Sequence, residues 1–139
     1  MIKIEDVIDP RDGSIFIRRY MLWFTKRACI NVMYKDYEHF HCHPWNYLTI
    51  IVWGGYKETV FEGDREVEYI RKPGYISRRS FDQFHKVEPV KRKAITLFFR
   101  SKPLAKFSKF KVDGQILTGA KYWLKQGVDV RPMFLKYKD

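Results

Sequence analysis

The heptapeptide His39-Phe40-His41-Cys42-His43-Pro44-Trp45 constrains this chain more than any other stretch, and it holds three of the four histidines. Pro44 disfavours helical geometry at the residue before it and pushes the segment toward an extended backbone. Side chains alternate between faces along an extended strand, so His39, His41 and His43 share one face while Cys42 points to the other. On a helix, positions i and i+2 would not face each other. Clustered neutral imidazoles need partners for both ring nitrogens, and three on one face are hard to satisfy without a cation. The first and last of the three stand roughly 13 Å apart on a strand, too far for one ion with bonds of about 2 Å, so another segment must contribute. The fourth histidine, His85, lies in Asp82-Gln83-Phe84-His85-Lys86-Val87, more than forty residues on. The pattern predicts a divalent metal ion held between two strands.

The rest of the chain reads as sheet. Its 139 residues suit one domain with a real core. Aromatic residues make up 17%, and long stretches rich in Ala, Leu and Glu are missing. Turn formers at 9–13, 35–38, 54–55, 62–64 and 72–74 separate runs of strand formers, so most of residues 14–100 is expected to be strand. Gly54-Gly55 is expected to turn a hairpin between Tyr47–Trp53 and the strand from Tyr56, and Val112-Asp113-Gly114-Gln115 reads as another turn. Any helix should be short and late, where Tyr122-Trp123-Leu124 could cap the core. The expected domain is 1–139, with its core at about 14–100 and 101–139 as a C-terminal extension capping it. Two cysteines are too few for a disulfide scaffold, and no run approaches the roughly 18 apolar residues of a membrane span. A cytoplasmic setting with no membrane partner is expected.

These motifs resemble the cupin superfamily. Its first motif carries H-x-H on a strand before a glycine turn, matched by His41-Cys42-His43 and Gly54; its second carries P-x-G and a later histidine, matched more loosely by Pro73-Gly74 and His85. His41-Cys42-His43-Pro44-Trp45, Gly54-Gly55-Tyr56, Glu58, Arg78-Arg79 and Thr96-Leu97 further resemble small uncharacterised cupins of phages and bacteria. The resemblance, over about 28–100, implies an all-β, cupin-like jelly-roll β-barrel with His41, His43 and His85 holding Fe, Zn, Mn or Ni in its mouth. His39 stands outside the motif. The family's glutamate ligand falls on Tyr47, so Glu58 is the candidate replacement, and Asp82 is a candidate to orient His85. A guanidinium from Arg78 or Arg79 could hold a carboxylate or phosphate. Trp45, Trp53 and Tyr75 are candidates for lining a pocket.

Two function classes follow. One is a metal-dependent enzyme, of dioxygenase or isomerase type, acting on a small polar or anionic substrate, with Glu58, Tyr47 and Arg78 as candidate catalytic residues. The other is a non-catalytic module that binds nucleic acid or another polyanion weakly, drawn by the net charge of +11. That charge is uneven: residues 65–111 carry 14 basic and 4 acidic side chains, against 8 and 9 in residues 1–64. A homodimer is left open.

Overall fold

The computed structural model describes residues 2–36, 38–105 and 108–130. The last part of the expected C-terminal extension, 131–139, and Tyr37 of the 35–38 turn lie outside them. In chain order the strands are β1 (Lys3–Ile8), β2 (Ile15–Met21), β3 (Ala28–Met33), β4 (Phe40–Cys42), β5 (Tyr47–Trp53) and β6 (Tyr56–Glu62). They continue as β7 (Arg65–Arg71), β8 (Ile76–Arg79), β9 (His85–Pro89), β10 (Ala94–Arg100), β11 (Lys109–Val112) and β12 (Gln115–Thr118), before helix α1 (Gly119–Lys125). The β-branched and aromatic runs of the sequence thus become strands, with helix among the described residues confined to about two late turns.

The strands form two six-stranded sheets, ordered β1-β2-β3-β10-β5-β8 and β12-β11-β4-β9-β6-β7. The pairings within both are antiparallel. This is the double-sheet jelly roll that the cupin resemblance implied. Strands outside 14–100 take part: β1 forms one edge of the first sheet, while β11 and β12 extend the second beyond β4. Buried side chains fill the space between the sheets in three clusters. Tyr122 and Trp123 of α1 join Phe16, Phe110 and Val112 in one of them. Tyr122 lies flat on Phe110, ring centroids 3.9 Å apart. No helix among the described residues is long and apolar enough to cross a membrane.

The expected hairpin at Gly54-Gly55 does not form. β5 and β6 belong to different sheets, and the two glycines carry the chain from one sheet to the other. Both have positive φ, +85° and +77°. A Cβ on Gly54 would run into the carbonyl oxygen of Lys93, and one on Gly55 would stand 2.5 Å from that of Arg71. Sequence periodicity cannot separate a tight corner between sheets from a turn within one, because both need glycine and flank it with strand. We expect Gly54→Ala to destabilise the fold by at least roughly 1–3 kcal/mol from backbone strain alone. Thermal unfolding measures it, and an unchanged midpoint would contradict the close approach of the two turns.

Candidate metal centre

The site follows from strand register. β4 pairs with β9 so that His41 stands directly opposite His85. His43 follows directly on the end of β4, and its ring centroid stands 5.1 Å from that of His41. The three imidazoles meet: one nitrogen from each lies within 4.8 Å of the others. His85 Nε2 and His43 Nε2 are 3.4 Å apart. Bonds of about 2.0–2.1 Å at tetrahedral angles separate donor atoms by about 3.4 Å, so this pair already has the spacing of two ligands on one ion. The donor set fits a divalent metal, since uncharged imidazole nitrogens suit Zn, Fe, Ni and Mn in varying degree.

Glu58 is part of the arrangement, but not as the ligand its sequence position suggested. It is 2% exposed and lies on β6, whose pairing with β9 sets Glu58 opposite Val87 and Val60 opposite His85. His85 Nδ1 donates to Glu58 Oε2 at 2.9 Å, while Arg79 Nη2 and Arg71 Nε donate to Oε1 at 2.8 and 3.2 Å. Burial works against ionisation, yet the hydrogen bonds from His85 and Arg79 and the guanidinium charge outweigh it and hold the carboxyl at about 2. Glu58 therefore remains an anion. It fixes the proton of His85 on Nδ1 and leaves the Nε2 lone pair for a metal, the orientation a carboxylate partner gives a ligating histidine.

Tyr47, at the position of the family's glutamate, is buried, and its hydroxyl donates to His85 Nε2 at 3.1 Å. It thus occupies the lone pair that an ion would take. Burial, then the charge of Glu58, raises the phenol well above its ordinary range. Of the adjacent arginines, Arg78 is exposed on the outer face of β8, while Arg79 turns inward to Glu58. Asp82, considered as the partner of His85, is exposed; Glu58 takes that place. His39 does not join the other three, because its Nδ1 bonds the hydroxyl of Tyr122 on α1 at 3.0 Å. β4 begins only at Phe40, so the strand alternation that would align His39 with His41 stops short of it.

Asp36 was not singled out by sequence, since it sits in what reads as a polar turn. Its side chain is 6% exposed. One oxygen accepts from the backbone N–H of Val87 at 2.6 Å, and the other lies 3.9 Å from His41 Nε2. It ties the loop before β4 to β9, the strand that bears His85. Arg71 was equally illegible, as its contact with Glu58 depends on the β6–β7 register.

The histidines face a cavity of about 260 Å³ between the sheets, lined also by Arg19, Asn31, Trp45, Tyr47, Thr49 and Ser77. Trp45 is half-buried against His43, rings nearly parallel with centroids 5.9 Å apart. Its indole N–H is buried and has no partner among the described residues. Trp53 and Tyr75, the other aromatic candidates, are not among the lining residues.

Burial, followed by the repulsion a second proton would meet among clustered imidazoles, lowers His41 and His43 well below the ordinary histidine range. Both stay neutral in the folded state, while in the unfolded chain they take up protons at about pH 6.5. The unfolded state then binds more protons, so stability falls as pH drops below that value toward the depressed folded values. Denaturant midpoints of the metal-free protein should therefore fall between about pH 7 and about pH 5, and an unchanged midpoint would contradict the burial of these rings.

No protein-family model matches the chain, and no curated protein matches it. Solved structures do. Fe(II)-HppE with the alternative substrate (S)-1-HPP aligns at a TM-score of 0.57 and 14% identity, over 72% of this chain and 56% of that one. The hydroxypropylphosphonic acid epoxidase from S. wedmorenis aligns at 0.55 and 14%, over 72% and 55%. The Drosophila melanogaster CENP-C cupin domain aligns at 0.54 and 10%, over 72% and 75%. At these identities the likeness shows the fold, that of a cupin. The chain spans little more than half of the first two.

Proposed function

We propose that this protein is a metal-dependent cupin in which His41, His43 and His85 hold one divalent ion, and that the ion acts on a small polar or anionic molecule in the cavity between the sheets. The observation that carries this reading is the convergence of three imidazole donors whose protonation is already set, by burial at His41 and His43 and by Glu58 at His85. A bound ion would supply Lewis acidity and, for a redox metal, electron transfer. The chain supplies the rest. Three protein ligands leave coordination positions open. Tyr47, released from His85 Nε2 when that lone pair is taken, turns its O–H to a molecule in the cavity. The unpartnered indole N–H of Trp45 is a second donor, and Arg19 adds positive charge on the same cavity wall. Two neutral donors and a guanidinium favour an oxygen-rich anion. Isomerase and oxygenase chemistry both suit such a site.

The test uses the protein loaded with cobalt(II), whose visible absorption reports coordination. Small hydroxy-phosphonates and hydroxy-carboxylates head the panel, since one structural neighbour is a hydroxypropylphosphonic acid epoxidase. A change in the spectrum on adding one of them, absent in Tyr47→Phe, is the expected result. Indifference to every small anion, with the ion bound, would overturn the substrate reading.

A second reading, a polyanion-binding module, is favoured by how the fold gathers the basic middle segment. Gly54 packs on Lys93 and Gly55 on Arg71-Lys72, so the corners after β5, β7 and β9 meet at one end of the barrel. Lys72, Lys91 and Arg92 are exposed there, and Lys91 Nζ stands 5.1 Å from the Trp53 ring. Binding at that end should be weak, insensitive to sequence and steeply reduced by salt. If no binding to single or double strands is detected at about 50 mM salt, where such contacts are strong, this reading fails.

A further inference from the structure

The two sheets differ on their outward faces. On the second sheet the outward positions mix charged with apolar residues: Lys57 pairs with Glu88 at 3.4 Å and approaches Glu68 at 4.0 Å, beside an exposed Ile70. On the first sheet the pairing places Ile4 beside Tyr20, Tyr20 beside Ile30, Ile30 beside Leu97, Leu97 beside Ile50 and Ile50 beside Ile76. One unbroken apolar row therefore crosses all six strands on the side away from the cavity. Leu48 and Phe99 flank it on one side, Ile95 and Trp53 on the other. Ile4 and Ile76, at the two ends of the row, are 55% and 58% exposed. The charges on this face are few. Asp6 and Arg18 neutralise each other through two hydrogen bonds of 2.9 and 3.0 Å, and Arg78 stands at the far edge.

We propose that this face is the interface with a second copy of the same chain. A chain with a net charge of +11 that keeps its cations off one broad face does not present that face to nucleic acid or to an anionic surface. The row is also self-complementary. A two-fold axis along the strands, midway between β3 and β10, lays Ile4 of one copy over Ile76 of the other, Tyr20 over Ile50 and Ile30 over Leu97. Two twisted sheets stacked in this way keep their strands aligned within about 30°, a standard packing of sheet on sheet. Six strands about 4.8 Å apart and three rows of side chains give a footprint on the order of 25 Å by 20 Å, so two copies bury about 1,000 Å², the level a specific interface needs. The dimer does not depend on the ion, because the strands that bear His41 and His85 belong to the second sheet, across the core from this face.

Sedimentation equilibrium of the full chain, with and without metal, tests this. The expected mass is twice 16.9 kDa at tens of micromolar in both conditions. Leu97→Lys combined with Ile50→Lys should yield a monomer with an unchanged far-ultraviolet spectrum. Ile70→Lys, on the outward face of the second sheet and 58% exposed, should leave the dimer intact. Should the central double variant fail to fold, Ile4→Lys with Ile76→Lys carries the same expectation at positions already largely exposed. A monomeric wild-type chain throughout the concentration range, or a dimer that survives the folded lysine variants, overturns the proposal.

Discussion

Glu58→Gln should weaken metal binding roughly 10–100-fold, as loss of a ligand's hydrogen-bonding partner does at other sites. The change is nearly isosteric, so the effect is chemical. Glutamine presents a neutral amide to His85 Nδ1, and its orientation competes with the demands of Arg79 and Arg71 for an acceptor. The proton on His85 is then no longer fixed on Nδ1, and Nε2 is no longer reserved for the ion. The metal-free protein should suffer as well. Arg79 and Arg71 have side chains only 18% and 13% exposed, and they would lose the anion between them. Breaking a buried pair from one side costs about 3–5 kcal/mol. Denaturation of the metal-free variant and a metal titration separate the two effects; full affinity with normal stability would show that Glu58 neither orients His85 nor anchors the arginines.

His85→Ala should abolish metal-dependent stabilisation altogether. An ion that binds only the folded state adds about 2.7 kcal/mol at a hundred times its dissociation constant. Without His85 the remaining pair, His41 and His43, comes from one strand end and cannot close a site between strands. His39→Ala makes the contrast. It removes the bond to Tyr122 and should cost about 1 kcal/mol, yet keep the whole metal-dependent gain. Thermal unfolding of both variants across a metal series measures the difference. A gain lost in His39→Ala but kept in His85→Ala would place the site elsewhere on the strand.

The parts of this structure that were legible in the sequence are those governed by local rules. Period-2 alternation put His41 and His43 on one face, and turn chemistry located most strand boundaries; Tyr47–Trp53 is β5 residue for residue. His85 entered as the remaining histidine and through the second cupin motif, and register then set it opposite His41. What stayed hidden depends on pairing between distant segments. Arg78 and Arg79 are chemically equal in sequence, and only the β5–β8 register turns Arg79 inward. Glu58 is a candidate ligand in sequence because it shares a strand face with Tyr56 and Val60 across the expected hairpin, whereas the β6–β9 register sets it behind His85, on the Nδ1 side. The corner at Gly54-Gly55 looked like a hairpin because the sequence does not record which sheet a strand joins. Asp36 looked like a solvated turn residue because its burial comes from β9, more than forty residues later.

The most direct test of the central claim is elemental analysis of the purified protein beside His41→Ala, His43→Ala and His85→Ala, each confirmed to be folded. The account predicts one divalent ion per chain in the wild type and almost none in any of the three variants. A full complement of metal in His85→Ala would contradict a site built between β4 and β9, and with it the proposed function.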